Sequence, residues 1–204
     1  MDFLMARNIP AHDPNTPSHL IDLSAHFNAG LEQDWHGKSI VGNNLIALPR
    51  GRQRFGGVEF DVRGIIQLGS PRLDDYAPGY PVAVNTIKIA QRCRRLHFLQ
   101  STGWGAIAKP GTHVGSYRLH YADGRQIDIP LKLGEDFLEW LGHTEADQLA
   151  SATVVWRGKT PRNIPYHLFK RTWENPRPET EIESIDFIST GTGVAPFLIA
   201  ITAE

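Results

Sequence analysis

The chain has 204 residues, a formal net charge of −1, and 41% apolar against 21% charged residues. That length suits one large domain, and the near-neutral balance gives no electrostatic ground for nucleic acid or an anionic membrane surface as partner. A single cysteine, Cys93, excludes an intrachain disulfide framework, while 19 glycines and 14 prolines favour numerous turns over long helices.

Residues 1–20 carry Pro10, Pro14 and Pro17 among short polar residues, the composition of a linker-like N-terminal extension. The start MDFLMARNIP has no apolar core followed by a small-residue cleavage site, and no window is long enough to span a bilayer. Export is therefore expected only if the chain is cut from a longer protein. A single β-sandwich domain is expected over 21–204. Its first strand falls at 21–27, followed by a polar loop around Trp35 over 31–44 and a turn region over 51–57. Residues 58–68 alternate apolar and polar until Gly64 breaks the phase, which predicts a strand with a bulge. Three prolines over 69–81 predict a long exposed loop that carries Tyr76 and Tyr80.

Further strands are predicted at 82–90, 96–101, 112–122, 125–131, 153–157, 164–174, 182–189 and 196–202. Residues 96–99 and 197–201 are nearly continuous in apolar side chains, as central strands are. One short helix is predicted at 135–141 (EDFLEWL), closed by Gly142. Short strands at regular spacing with almost no helix predict an all-β sandwich or barrel.

The stretch GSYRLHYADGRQIDIPL (115–131) specifies its own register. Tyr117, Leu119 and Tyr121 alternate with polar residues before Asp123-Gly124, and Ile127, Ile129 and Leu131 alternate after it. A two-residue loop would set Leu119 opposite Asp128 and mix the faces. A three-residue loop, Ala122-Asp123-Gly124, pairs Tyr117 with Ile129, Leu119 with Ile127 and Arg118 with Asp128. One buried face therefore selects the three-residue loop, with Gly124 in a left-handed G1-bulge position.

No catalytic constellation emerges. STGTGVAPF (189–197) looks like the nucleotide-binding turn of ferredoxin reductases, but only eight residues follow Pro196 and no alternating strand–helix pattern precedes it. A glycine-rich turn between antiparallel strands is the preferred reading. The nine histidines never fall at H-x-H or H-x-x-x-H spacing, so no zinc site is readable. Calcium at the Asp74-Asp75 loop is left open, without support from spacing. Cys93 sits among Arg92, Arg94 and Arg95, which would favour a thiolate, yet a small residue packed at a strand entrance is preferred. No cofactor is expected.

Aromatic residues in polar loops remain. Trp104 lies in STGWGA, Trp35 in EQDWHG, and Tyr76 and Tyr80 in the proline-rich loop. Such rings either offer a flat platform to sugar C–H faces or tuck beneath their own loops. Trp140, Trp156 and Trp173 fall in predicted regular elements and are assigned to the core.

The segments GVEFDVRGIIQLG (57–69), LHFLQSTGW (96–104), VGSYRLHYADGRQIDIPLKLGEDFLEW (114–140) and TWENPRPETEIESIDFIST (172–190) resemble jelly-roll modules of carbohydrate-binding type. These modules are similar to galactose-binding-like sandwiches and are appended to bacterial glycoside hydrolases and large multidomain proteins. The resemblance covers roughly 21–204. It implies a two-sheet antiparallel jelly-roll β-sandwich without catalytic residues of its own, and sugar as ligand. The sequence expectation is thus a non-catalytic carbohydrate-binding module using Trp104, Tyr76, Tyr80 and Trp35. The alternative is a structural or protein-interaction sandwich that contacts neighbouring domains of a parent protein.

Overall fold

A computed structural model describes residues 8–37 and 42–204. Residues 1–7 of the expected extension and 38–41 of the expected loop lie outside the described residues. The chain forms an all-β sandwich of antiparallel sheets. A six-stranded sheet runs β1 (Ala29–Gly30), β4 (Gly64–Gln67), β12 (Ala195–Ala203), β6 (Arg95–Gly103), β10 (Pro165–Glu174) and β9 (Ala152–Lys159). A four-stranded sheet runs β5 (Ala83–Gln91), β11 (Ile182–Ser189), β7 (His113–Tyr121) and β8 (Gln126–Lys132). A separate hairpin joins β2 (Gly51–Phe55) to β3 (Val58–Val62).

The two sheets enclose one core. Phe98 of β6 stacks on Tyr117 of β7 at 4.2 Å between ring centroids, and Tyr117 on Phe187 of β11 at 4.9 Å. A second apolar cluster includes Leu99, Phe197, Ile199, Leu168, Trp140 and Trp35. The central strands β12 and β6 thus contribute side chains to both clusters, which is why their sequences read as continuous apolar runs.

The β7–β8 hairpin has the three-residue register. Tyr117 pairs with Ile129, Leu119 with Ile127 and Arg118 with Asp128. Tyr121 N donates to Arg125 O at 2.9 Å, and Gly124 takes a φ of 81°. Gly64 marks a change of partner: β3 pairs only with β2, whereas β4 enters the six-stranded sheet.

Four expectations are corrected. Residues 21–27 are not a strand. Asp22 accepts the backbone N–H of Ser24 at 2.9 Å, and His26 N donates to Leu23 O at 2.9 Å, so the chain turns while Ile21, Leu23 and Phe27 still reach the core. The turn region 51–57 is strand β2 followed by a Gly56-Gly57 turn. The loop 69–81 contains a one-turn helix, α1 (Pro71–Asp74), started by Ser70, whose Oγ accepts Leu73 N at 3.1 Å, and by Pro71 at its first position.

The fourth correction is the helix predicted at 135–141, which is a turn over 134–136 followed by bridge-forming chain. Leu133 bridges Phe137, Glu139 bridges Thr102, and Leu141 bridges Tyr166. Phe137 belongs to the inter-sheet core and Trp140 to the second cluster, a division that a helix with one apolar stripe could not make. Buried polar contacts hold this segment. Tyr117 donates to Gln100 Oε1 at 2.8 Å, Asp136 Oδ2 accepts Lys132 N at 2.7 Å, and Asp136 Oδ1 lies 2.8 Å from Arg171.

Residues expected in a linker-like lead-in are packed. Ile9 is buried in the inter-sheet core, and Leu20 bridges Thr202 of β12. Cys93 is also buried, and burial raises its thiol to about 11, which keeps it protonated and unreactive. The glycine-rich turn at 190–194 carries the chain from β11 in one sheet to β12 in the other.

Candidate functional site

The four aromatic residues singled out in the sequence converge. Trp104 and Tyr76 line a cleft of about 290 Å³, together with His36, Asn43, Ile107 and Glu139. Tyr76 also borders a more open groove of about 650 Å³, lined by Trp35, Tyr80, Gln33 and Asp34. The rings of Tyr76 and Trp104 lie 6.0 Å apart and only 27° from parallel. They form one aromatic wall contributed by two segments nearly thirty positions apart.

Trp104 directly follows β6 at the start of a 3₁₀ turn, Gly105–Ile107. Its backbone takes a φ of 58°, a left-handed conformation that costs a bulky residue on the order of 1–2 kcal/mol. The preceding Gly103 is required by close approach: a Cβ there would stand 2.7 Å from His36 Cε1. This packing lets the His36 ring sit between Trp35 and Trp104, at 4.6 and 4.8 Å. Tyr76 follows α1, and Leu73 of that helix is buried. Tyr76 and Ile107 are 44% and 60% exposed, so two large apolar side chains stand open to solvent on the lining of one cleft.

Trp35 and Tyr80 play a different part from Trp104. Trp35 is buried, with its indole Nε1–H donated to Gln67 Oε1 at 2.8 Å and its ring against Trp140 and Phe197. Tyr80 donates its hydroxyl to Trp35 O at 3.0 Å. Both shape the groove from beneath. Tyr76 and Trp104 form the wall.

Three polar groups that sequence reasoning missed complete the cleft. His36 Nε2 lies 2.9 Å from Gln67 Oε1. The amide of Gln67 is oriented by its Nε2, which donates to Leu68 O at 2.7 Å and Pro196 O at 3.2 Å. His36 must therefore carry its proton on Nε2, leaving Nδ1 as an acceptor. Burial lowers its pKa to about 4, so the ring is neutral. Asn43 is buried, and its Oδ1 has no hydrogen-bond partner among the described residues. Glu139 accepts the N–H of Gly105 at 2.7 Å, and burial raises its pKa to about 7. No spacing signal could have joined these residues, because 36, 43, 76, 104 and 139 meet only when the sheets are assembled.

The chain matches no protein-family model and no curated protein. Fold and site together define an all-β sandwich that carries an aromatic-walled cleft with, among the described residues, one half-buried carboxylate on its lining.

Proposed function

We propose that this protein is a non-catalytic carbohydrate-binding module whose sugar lies against the Tyr76–Trp104 wall. The observation that carries the proposal is that near-parallel pair, Tyr76 exposed and Trp104 half-buried, on one cleft lining with Asn43, whose Oδ1 has no hydrogen-bond partner among the described residues. Aromatic faces take sugar C–H faces, and the polar groups at their edge take hydroxyls. A cavity of about 290 Å³ suits a monosaccharide unit. A non-catalytic role is supported by the carboxylates. Glycoside hydrolysis ordinarily uses two, whereas Glu139 is the one carboxylate on the cleft lining among the described residues. Asp34, in the adjoining groove, is occupied by the Gly42 N–H and the Asn44 side-chain amide.

Tryptophan fluorescence during titration with a sugar panel tests this reading, with wild type beside Trp104→Ala and Tyr76→Ala. A saturable change with Kd in the micromolar to millimolar range, about −8 to −4 kcal/mol, is expected. Both variants should lose it. The rival reading is a protein-interaction sandwich without a small ligand, and the exposed Ile46 and Val82 favour it, being 52% and 63% accessible. Absence of any sugar response would move the assignment there.

A further inference from the structure

We propose that the sugar taken by this cleft carries a free amino group, with Glu139 as the counter-ion of its ammonium. This rests on the carbohydrate reading above and names the class of sugar. The argument begins with charge. Glu139 lines the cleft, and among the described residues it has no ion-pair partner and no Lys or Arg lines the cleft. The adjacent cation, Arg72, is already engaged: it lies over the Tyr76 ring, pairs with Asp75 at 3.1 Å and donates to the Tyr76 hydroxyl. A half-buried carboxylate held by neutral backbone amides gains more from a cation than from a neutral hydroxyl in the same place.

The neighbouring groups fit the same ligand. The neutral His36 has Nδ1 as its acceptor nitrogen, and the Asn43 Oδ1 on the same lining has no donor among the described residues. An ammonium supplies three N–H donors and accepts nothing. Its charge is also attracted by the face of Trp104, a contribution that a hydroxyl in the same place lacks. The Glu139 carboxylate accepts from Gly105 N at 2.7 Å and Leu141 N at 3.5 Å, with the amides of Ala106 and Trp140 also acting on it, and none of these groups carries a positive charge. Burial without a cation pushes the Glu139 carboxyl up to about 7, and a bound ammonium would hold it ionised.

The test is isothermal titration calorimetry at pH 7 with three sets of monosaccharides. These are glucosamine, galactosamine and mannosamine, their N-acetyl forms, and the parent hexoses. At least one amino sugar should bind ten-fold or more tighter than both its N-acetyl form and its hexose. Glu139→Gln should reduce that preference to within about two-fold, and Trp104→Ala should weaken all binding at the site. The wild-type comparison stands by itself if Glu139→Gln fails to fold. Equal binding of amine and hexose would overturn the proposal while leaving sugar binding intact. A ten-fold preference that survives in folded Glu139→Gln, or amino-sugar binding that Trp104→Ala leaves unchanged, would also overturn it, since the amine would then be read elsewhere. No binding by any of the sugars would overturn this proposal and the carbohydrate reading together.

Discussion

Gln67 Oε1 accepts the indole Nε1–H of Trp35 at 2.8 Å, tying the loop beneath the cleft to strand β4. The same oxygen serves His36 Nε2 at 2.9 Å, so one buried carbonyl satisfies two ring N–H groups. Gln67→Leu would leave both donors buried without an acceptor, at a penalty of about 2–4 kcal/mol. Urea denaturation should show that loss, and ligand-dependent fluorescence should weaken with it because the His36 ring is no longer held against Trp104.

Gly124 tests the hairpin. A Cβ at this position would meet nothing within 4 Å, so any penalty is conformational rather than steric crowding. Gly124→Val, forced to a φ near 81°, should lower stability by about 1–2 kcal/mol. Gly124→Asn should cost less, because asparagine tolerates the left-handed region. Thermal unfolding of the two variants measures the difference.

Ile9 tests the packing of the N-terminal segment. It is 4% exposed and belongs to the inter-sheet core. Ile9→Ala should destabilise the fold by about 2 kcal/mol through lost burial and a residual cavity. A linker residue would show no change in the denaturation midpoint.

Glu139 makes a pH-dependent contribution whose sign is set by its raised pKa. The folded value of about 7 stands above the ordinary 4.5, so the stability contributed by the neutral acid is full below pH 4.5 and is lost as pH rises through 7. Glu139→Gln removes this loss. The unfolding free energy of the variant relative to wild type should therefore rise with pH between these limits, by about 1.4 kcal/mol per pH unit. His36 and His167, both lowered to about 4 by burial, act oppositely. Their contribution is present above pH 6.5 and lost as pH falls through 4, and it cancels in the comparison. Guanidinium denaturation at pH 5, 6 and 7 measures the slope.

Particular residues show where sequence reasoning reached and where it stopped. Trp104, Tyr76, Tyr80 and Trp35 were readable as aromatic side chains stranded in polar loops, and all four line the cleft or its adjoining groove. Glu139 was hidden in EDFLEWL, where acidic and apolar spacing suits a helix. Its strand-like bridge to Thr102 and the opposite destinations of Phe137 and Trp140 override that propensity. Ser70-Pro71 carried a helix-start signal that the surrounding prolines masked.

The sequence by itself determined the hairpin register and the strands from 82 onward to within a few residues, though not β2 or the turn at 21–27, because side-chain alternation has a fixed period and one buried face admits one pairing. Apolar continuity likewise marked β6 and β12 as central. Only the tertiary structure decided which loops meet. The wall of Tyr76 and Trp104, the tautomer of His36 and the isolation of Glu139 depend on contacts between segments separated by tens of residues. No local pattern encodes such contacts, since burial and charge pairing arise only when the sheets and loops close on one another.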